Sequence, residues 1–252
     1  MKFLLAPIRI IYCLYAFIIF LALMIIVVPL VFFSLPFGKI TGGNFIFRLC
    51  TWWADIWFFL IGIYHKNIYE APHDTSRQYI FVANHISYLD APILVKTVRQ
   101  HVRVLGKVEM SQIPIFGFIY KNAIVTVDRS DATKRANSVR ILRSVIKRGI
   151  SILMFPEGTF NETTRPLKDF YDGAFRIAIE TQTPIKPVLF LDAYDRMHYM
   201  SILSLTPGIS RSIFLEEIKV EGLTMKDVQM LKQKTFSIME SALVKYRASW
   251  IK

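Results

Sequence analysis

Cysteine is nearly missing from this chain of 252 residues. Cys13 and Cys50 stand inside apolar segments, far from any histidine at metal-ligand spacing, so neither a disulfide framework nor a zinc site is supported and a reducing setting fits. Acidic residues are also scarce: 19 Asp and Glu face 31 Lys and Arg, a formal net charge of +12. That balance suits nucleic acid or an anionic lipid surface, and the greasy N-terminus argues for lipid and against nucleic acid. No charge occurs between residues 10 and 38, and 16–33 is almost wholly apolar, long enough to cross a bilayer core. A cleavable leader is not expected, because bulky residues continue through Val31-Phe32-Phe33 to Pro36 where a small-residue cleavage site would stand. Internal repeats, low-complexity linkers and a Gly-x-Ser-x-Gly nucleophile elbow are absent as well.

What is present divides in two. A second apolar stretch, 45–64, carries Trp52, Trp53 and Trp57 and is interrupted by Arg48 and Asp55, the mixture of an interfacial helix; a buried core helix is the alternative. Whether the two segments span or lie in one leaflet stays open, and Lys39 in their connection weakens a double crossing. Either way the chain returns to the side of Lys2 and Arg9, the cytoplasmic side of an inner membrane by the positive-inside rule. The expected division is a membrane anchor over 1–66 and an α/β domain over 67–252.

Beyond residue 66 short apolar runs alternate with amphipathic stretches, an α/β rhythm. Strands are predicted at 79–83, 102–105, 123–127, 150–155, 185–191 and 212–220. Helices are predicted at 132–147, 173–181 and 225–246, the last opened by Thr224. The expected fold is a mixed central sheet flanked by helices, with an N-terminal membrane-embedded helical segment.

Chemistry gathers at strand ends. Asn84-His85-Ile86-Ser87-Tyr88-Leu89-Asp90 follows the run 79–83, and a carboxylate beside an imidazole makes a base for a hydroxyl. Asp90-Ala91-Pro92 is equally a helix start with Asp90 as N-cap. Arg129 ends an apolar run and suits a phosphate or carboxylate, or a salt bridge with Asp128 or Asp131. Phe155-Pro156-Glu157-Gly158-Thr159 hands the loop a carboxylate for a polyol hydroxyl and a glycine open to close approach, or simply punctuates a turn.

In order and spacing these blocks resemble the glycerolipid acyltransferases, a family that acylates lysophosphatidic acid. The resemblance runs over 79–188: Asn84-His85-x-Ser87-x-x-Asp90; Gly106-Lys107 through Ile113-Pro114-x-x-Gly117 to Asp128-Arg129; Phe155-Pro156-Glu157-Gly158-Thr159 with Phe170-x-x-Gly173-Ala174; and Pro184-Ile185-x-Pro187-Val188. It implies a fatty acyl thioester of coenzyme A or acyl carrier protein as cosubstrate, a lysophospholipid acceptor, membrane lipids as surroundings, and no metal or further cofactor. His85 would be the base and Asp90 its orienter, with Lys107, Arg129, Glu157, Gly158, Thr159 and Arg165 on the substrate. One departure bears on the acceptor: Phe160 stands where many members have arginine, which opens zwitterionic or amino-acid-containing lyso-lipids beside lysophosphatidic acid. A membrane-associated acyl hydrolase or thioesterase, and a non-catalytic membrane-binding protein, are readings of other classes.

Overall fold

The computed structural model describes residues 2–127 and 132–252. Its apolar N-terminus is a helical hairpin. α1 (Lys2–Ser34) buries Cys13, Ala16, Leu23, Met24, Val27 and Val31, a spacing of threes and fours that forms one stripe. After a tight turn at 35–42, α2 (Gly43–Leu60) returns antiparallel to it. The small Ala16 lets α2 come close enough for Trp57 Nε1 to donate to its carbonyl at 2.9 Å, and the Phe20 ring meets Trp53 and Trp57 edge-on. By length and composition α1 is apolar enough to cross a membrane, and about 50 Å of helix exceeds a bilayer core of about 30 Å. Ile8, Ile11, Phe17, Ile18, Ile25 and Phe33 are each more than half exposed. A surface of that breadth is stable against lipid and costly in water.

The hairpin tip is tied down. Buried Arg103 donates to the carbonyls of Lys39 and Ile40 and to Asn44 Oδ1, so the hairpin lies along the rest of the chain. At its other end Tyr12 OH donates to Ile61 O, and Cys13 Sγ approaches Leu205 O.

The remainder is a seven-stranded mixed sheet in the order β1-β7-β6-β2-β5-β3-β4. The strands are β1 (Ile63–Tyr69), β2 (Ile80–Ala83), β3 (Val102–Lys107), β4 (Ile124–Val127), β5 (Ser151–Met154), β6 (Ile185–Phe190) and β7 (Gly208–Phe214). All neighbours are parallel except β6 and β7. Every residue of β2, β5 and β6 is buried, as strands covered on both faces are, and the one charge among them, Lys186, donates to Pro72 O. The helices are α3 (Asp90–Thr97), α4 (Phe116–Ala123), α5 (Ala132–Ile146), α6 (Gly173–Thr181), α7 (Ala193–Arg196) and α8 (Val228–Lys245), the last preceded by a capping box of Thr224 and Asp227.

Three expectations differ from this. The helix expected over 45–64 ends at Leu60, and Ile63–Tyr69 is a strand paired with β7, so the division at 66/67 falls inside β1. The run 212–220 is a strand only to Phe214; past it the chain keeps one isolated antiparallel bridge, Ile218 to Ile185. Asp90 is the first residue of α3, not its N-cap, a place held by Leu89.

Candidate active site

Five parallel strands, β2 to β6, open their C-terminal ends at one edge of the sheet, the edge where ligands of α/β folds bind. Asn84 extends the β2–β6 ladder by one step: its Nδ2 donates to Phe190 O and its Oδ1 accepts from Phe190 N. The chain then turns, and His85 Nδ1 meets Asp90 Oδ2 at 2.7 Å. The same oxygen accepts the backbone N–H of Ile86 at 2.7 Å and of Ser87 at 3.0 Å. Three donors on one oxygen fix the carboxylate, and it in turn fixes Nδ1–H as the imidazole donor. Nε2 has no partner among the described residues and remains an acceptor. Asp90 is fully buried, and its Oδ1 has no partner among the described residues; a positive charge forming on the imidazole would offset part of that cost.

Aromatic rings set the imidazole plane. Phe155 stacks on His85 at 4.2 Å between centroids and Phe160 meets it edge-on at 4.5 Å, while Tyr88 packs against Phe160. The His85 side chain is a quarter exposed, open on one side and desolvated on the others.

Glu157 occupies a different place from the one expected. It is buried, with Oε1 accepting His85 N at 2.8 Å and Oε2 accepting Lys168 N at 2.9 Å. Both oxygens are spent on backbone, so Glu157 registers the loop after β5 against the loop after β2 and does not face a substrate hydroxyl. Asn161 N to His85 O, at 2.7 Å, is a second rivet between the same loops. Gly158 supplies the turn between them: it is buried with φ +77°, a conformation that disfavours a side chain.

Burial pushes Glu157 up to about 7, against the opposing hydrogen bonds from Lys168 and His85. The folded chain therefore holds a proton that the unfolded chain releases between about pH 4.5 and 7, and the stability Glu157 contributes is full below 4.5 and lost as pH rises through 7. The difference in melting midpoint between the native chain and Glu157→Gln is expected to change across pH 4.5–7 and to level off above about 8. A difference independent of pH would contradict the assignment.

The remaining predicted site residues are not all brought together. Thr159 is exposed beside Phe160, and its Oγ1 accepts from Lys168 Nζ at 2.6 Å. Lys107 is exposed at the end of β3, across from Val127. Arg129 lies outside the described residues. Arg165 does not fold back: its guanidinium pairs with exposed Asp169, and the loop is held by Asn161 Nδ2 donating to the carbonyls of Arg165 and Pro166. Ser87 is fully buried, its Oγ donating to Met197 O at 2.6 Å and accepting from Leu89 N. Missed from sequence were the ring cage and Lys168. Phe155 reads as the end of a strand and Phe160 as a mere departure, while Lys168 belongs to no motif. A cavity of about 460 Å³ lined by Arg48, Trp52, Thr75, Arg99 and His101 lies at the strand starts, the other edge of the sheet, and shares no residue with this site.

A protein-family model described as Acyltransferase matches residues 63–191. An uncharacterized acyltransferase of Schizosaccharomyces pombe is 30% identical over 171 residues, 66% of this chain and 60% of that protein. The 1-acyl-sn-glycerol-3-phosphate acyltransferase of Cocos nucifera is 27% identical over 164 residues, 64% and 51% of the two chains; that of Haemophilus influenzae is 29% identical over 166 residues, 65% and 68%. The chain thus spans about half to two thirds of the length of these relatives. The crystal structure of the 1-acyl-sn-glycerophosphate acyltransferase of Thermotoga maritima superposes with a TM-score of 0.74 over 100% of both chains at 20% identity, a likeness of fold. The resemblance drawn from residues 79–188 agrees with the family model.

Proposed function

We propose, since this chain belongs to the Acyltransferase family, that it transfers a fatty acyl group from a thioester to the free hydroxyl of lysophosphatidic acid, giving phosphatidic acid. The 2.7 Å contact of His85 Nδ1 with Asp90, with Nε2 left open, carries the reading. Nε2 takes the acceptor hydroxyl proton, and the oxygen attacks the thioester carbonyl carbon. The tetrahedral oxyanion collapses, the C–S bond breaks, and the imidazolium returns its proton to the leaving thiolate. A thioester is already activated, so no enzyme nucleophile is needed. The names of the relatives from Cocos nucifera and Haemophilus influenzae support the acceptor; coenzyme A and acyl carrier protein are the two donor carriers to compare.

The exposed apolar faces of α1 and α2 support a hairpin lying in one leaflet, since its tip is bound to Arg103 of the domain. Lys2 and Arg9 then favour a site opening to the cytoplasmic side. The test of the acceptor is purified protein in detergent with each donor and lyso-lipids bearing phosphate, choline, ethanolamine or amino-acid headgroups. Phosphatidic acid formation at the highest rate is expected. Selective turnover of a non-phosphate acceptor would replace lysophosphatidic acid in this reading.

Ser87 offers a sharp control on mechanism. Its hydroxyl is engaged by Met197 O and Leu89 N, so Ser87→Ala is expected to keep acyl transfer within about tenfold while losing about 1–3 kcal/mol of stability from the abandoned groups. A folded Ser87→Ala protein without activity would instead make Ser87 a nucleophile and contradict direct transfer.

A further inference from the structure

We infer that Lys168 is the cation that receives the phosphate of the acceptor, with the Thr159 hydroxyl completing the subsite. This rests on the acceptor proposed above and names the side chain that reads its headgroup. The first support is position. One carboxylate, Glu157, accepts the backbone N–H of both His85 and Lys168, at 2.8 and 2.9 Å, so the lysine is registered to the base by a single buried group. Its ammonium reaches the carbonyl of Phe160, whose ring meets the His85 imidazole, so cation and base share that neighbour.

The second support is the state of the ammonium. Lys168 Nζ donates to Thr159 Oγ1 at 2.6 Å and to Phe160 O at 3.4 Å, two neutral oxygens, and no carboxylate forms a salt bridge with it among the described residues. An ammonium has three donors, so one is left for a ligand. Thr159 Oγ1 accepts from Lys168, which leaves its own proton to donate, and Thr159 is exposed. A fixed positive charge with an N–H and an O–H side by side matches the oxygens of a phosphate.

The third support is what surrounds the base. Phe155, Phe160 and Tyr88 make an apolar enclosure, which suits the acyl and glycerol parts of a lipid but binds no charge. Arg165, the other basic side chain of this loop, lies at the surface 3.7 Å from the exposed Asp169 carboxylate.

The test is steady-state kinetics of Lys168→Gln and Lys168→Arg with lysophosphatidic acid, alongside their melting midpoints and the native chain in the same assay. For Lys168→Gln the KM for lysophosphatidic acid is expected to rise about 10- to 100-fold, the value of a charge-assisted contact, with kcat changed less than about threefold. Lys168→Arg is expected to recover most of the KM, and the melting midpoint to stay within a few degrees. A joint fall of kcat and melting midpoint at constant KM would make Lys168 a loop pin and overturn the inference. An unchanged KM would overturn it too. If the native chain itself turns over only zwitterionic lyso-lipids, the proposed acceptor falls together with the subsite; a native chain active on lysophosphatidic acid beside a Lys168→Gln protein of unchanged KM removes the subsite alone.

Discussion

His85→Ala is expected to lower kcat for acyl transfer by about 10³-fold, within the 10²- to 10⁴-fold range of a lost general base. That is about 4 kcal/mol of transition-state stabilisation. The loss is chemical and not structural. The ring is a quarter exposed and packs between Phe155 and Phe160, while the backbone bonds that hold the loop, His85 N to Glu157 and Asn161 N to His85 O, do not depend on the side chain. Circular dichroism should therefore stay near that of the native chain, the melting midpoint falling only by what the lost donor to buried Asp90 costs, about 1–3 kcal/mol, and KM for both substrates should move little. A His85→Ala protein with native turnover would remove the proposed base.

Asp90→Asn carries the second large effect and separates two roles for one residue. Asparagine is as good a helix-start residue as aspartate, so a purely structural Asp90 would tolerate the change. The geometry predicts otherwise. Oδ2 accepts from the imidazole and from two backbone N–H groups at once, and a neutral amide in that position cannot stabilise the imidazolium. Its NH₂ would also fall where Oδ1 now lies, buried and without a partner among the described residues, adding an unsatisfied donor at a cost of about 1–3 kcal/mol. A fall of about 10³-fold in kcat is expected, by the logic of a catalytic triad that loses its carboxylate. Retention of most activity would leave Asp90 only the structural role of ordering the turn before α3 through the N–H groups of Ile86 and Ser87.

Much of this arrangement was legible in the chain. Strands β2, β4 and β5 carry no charged residue and β6 only Lys186, and β2, β5 and β6 are buried throughout, so their apolar runs mark them in the sequence. Thr224 marked the opening of the C-terminal helix, and the structure gives it a capping box with Asp227. His85 and Asp90 were paired from spacing, because a turn of four residues can bring them together. β1 was hidden because its apolar entry continues the run of α2, while Tyr64, Lys66 and Tyr69 face outward and its pairing depends on β7, about 145 residues further on. Glu157 was assigned to the substrate because a carboxylate after a strand end looks outward in sequence; only the crossing of two loops reveals that it faces inward. Lys168 had no signal at all, since its approach to Thr159 depends on the path of residues 161–168, set by Asn161 and Glu157.

The central claim is that His85 and Asp90 drive direct transfer of an acyl group from a thioester to a lipid hydroxyl. It is tested most directly by a rapid-quench single turnover with radiolabelled acyl thioester, in the presence and absence of lysophosphatidic acid. The account predicts labelled phosphatidic acid only when acceptor is present, with no label on the protein and little free fatty acid. Free fatty acid released without acceptor, or label held covalently by the protein before acceptor is added, would contradict it.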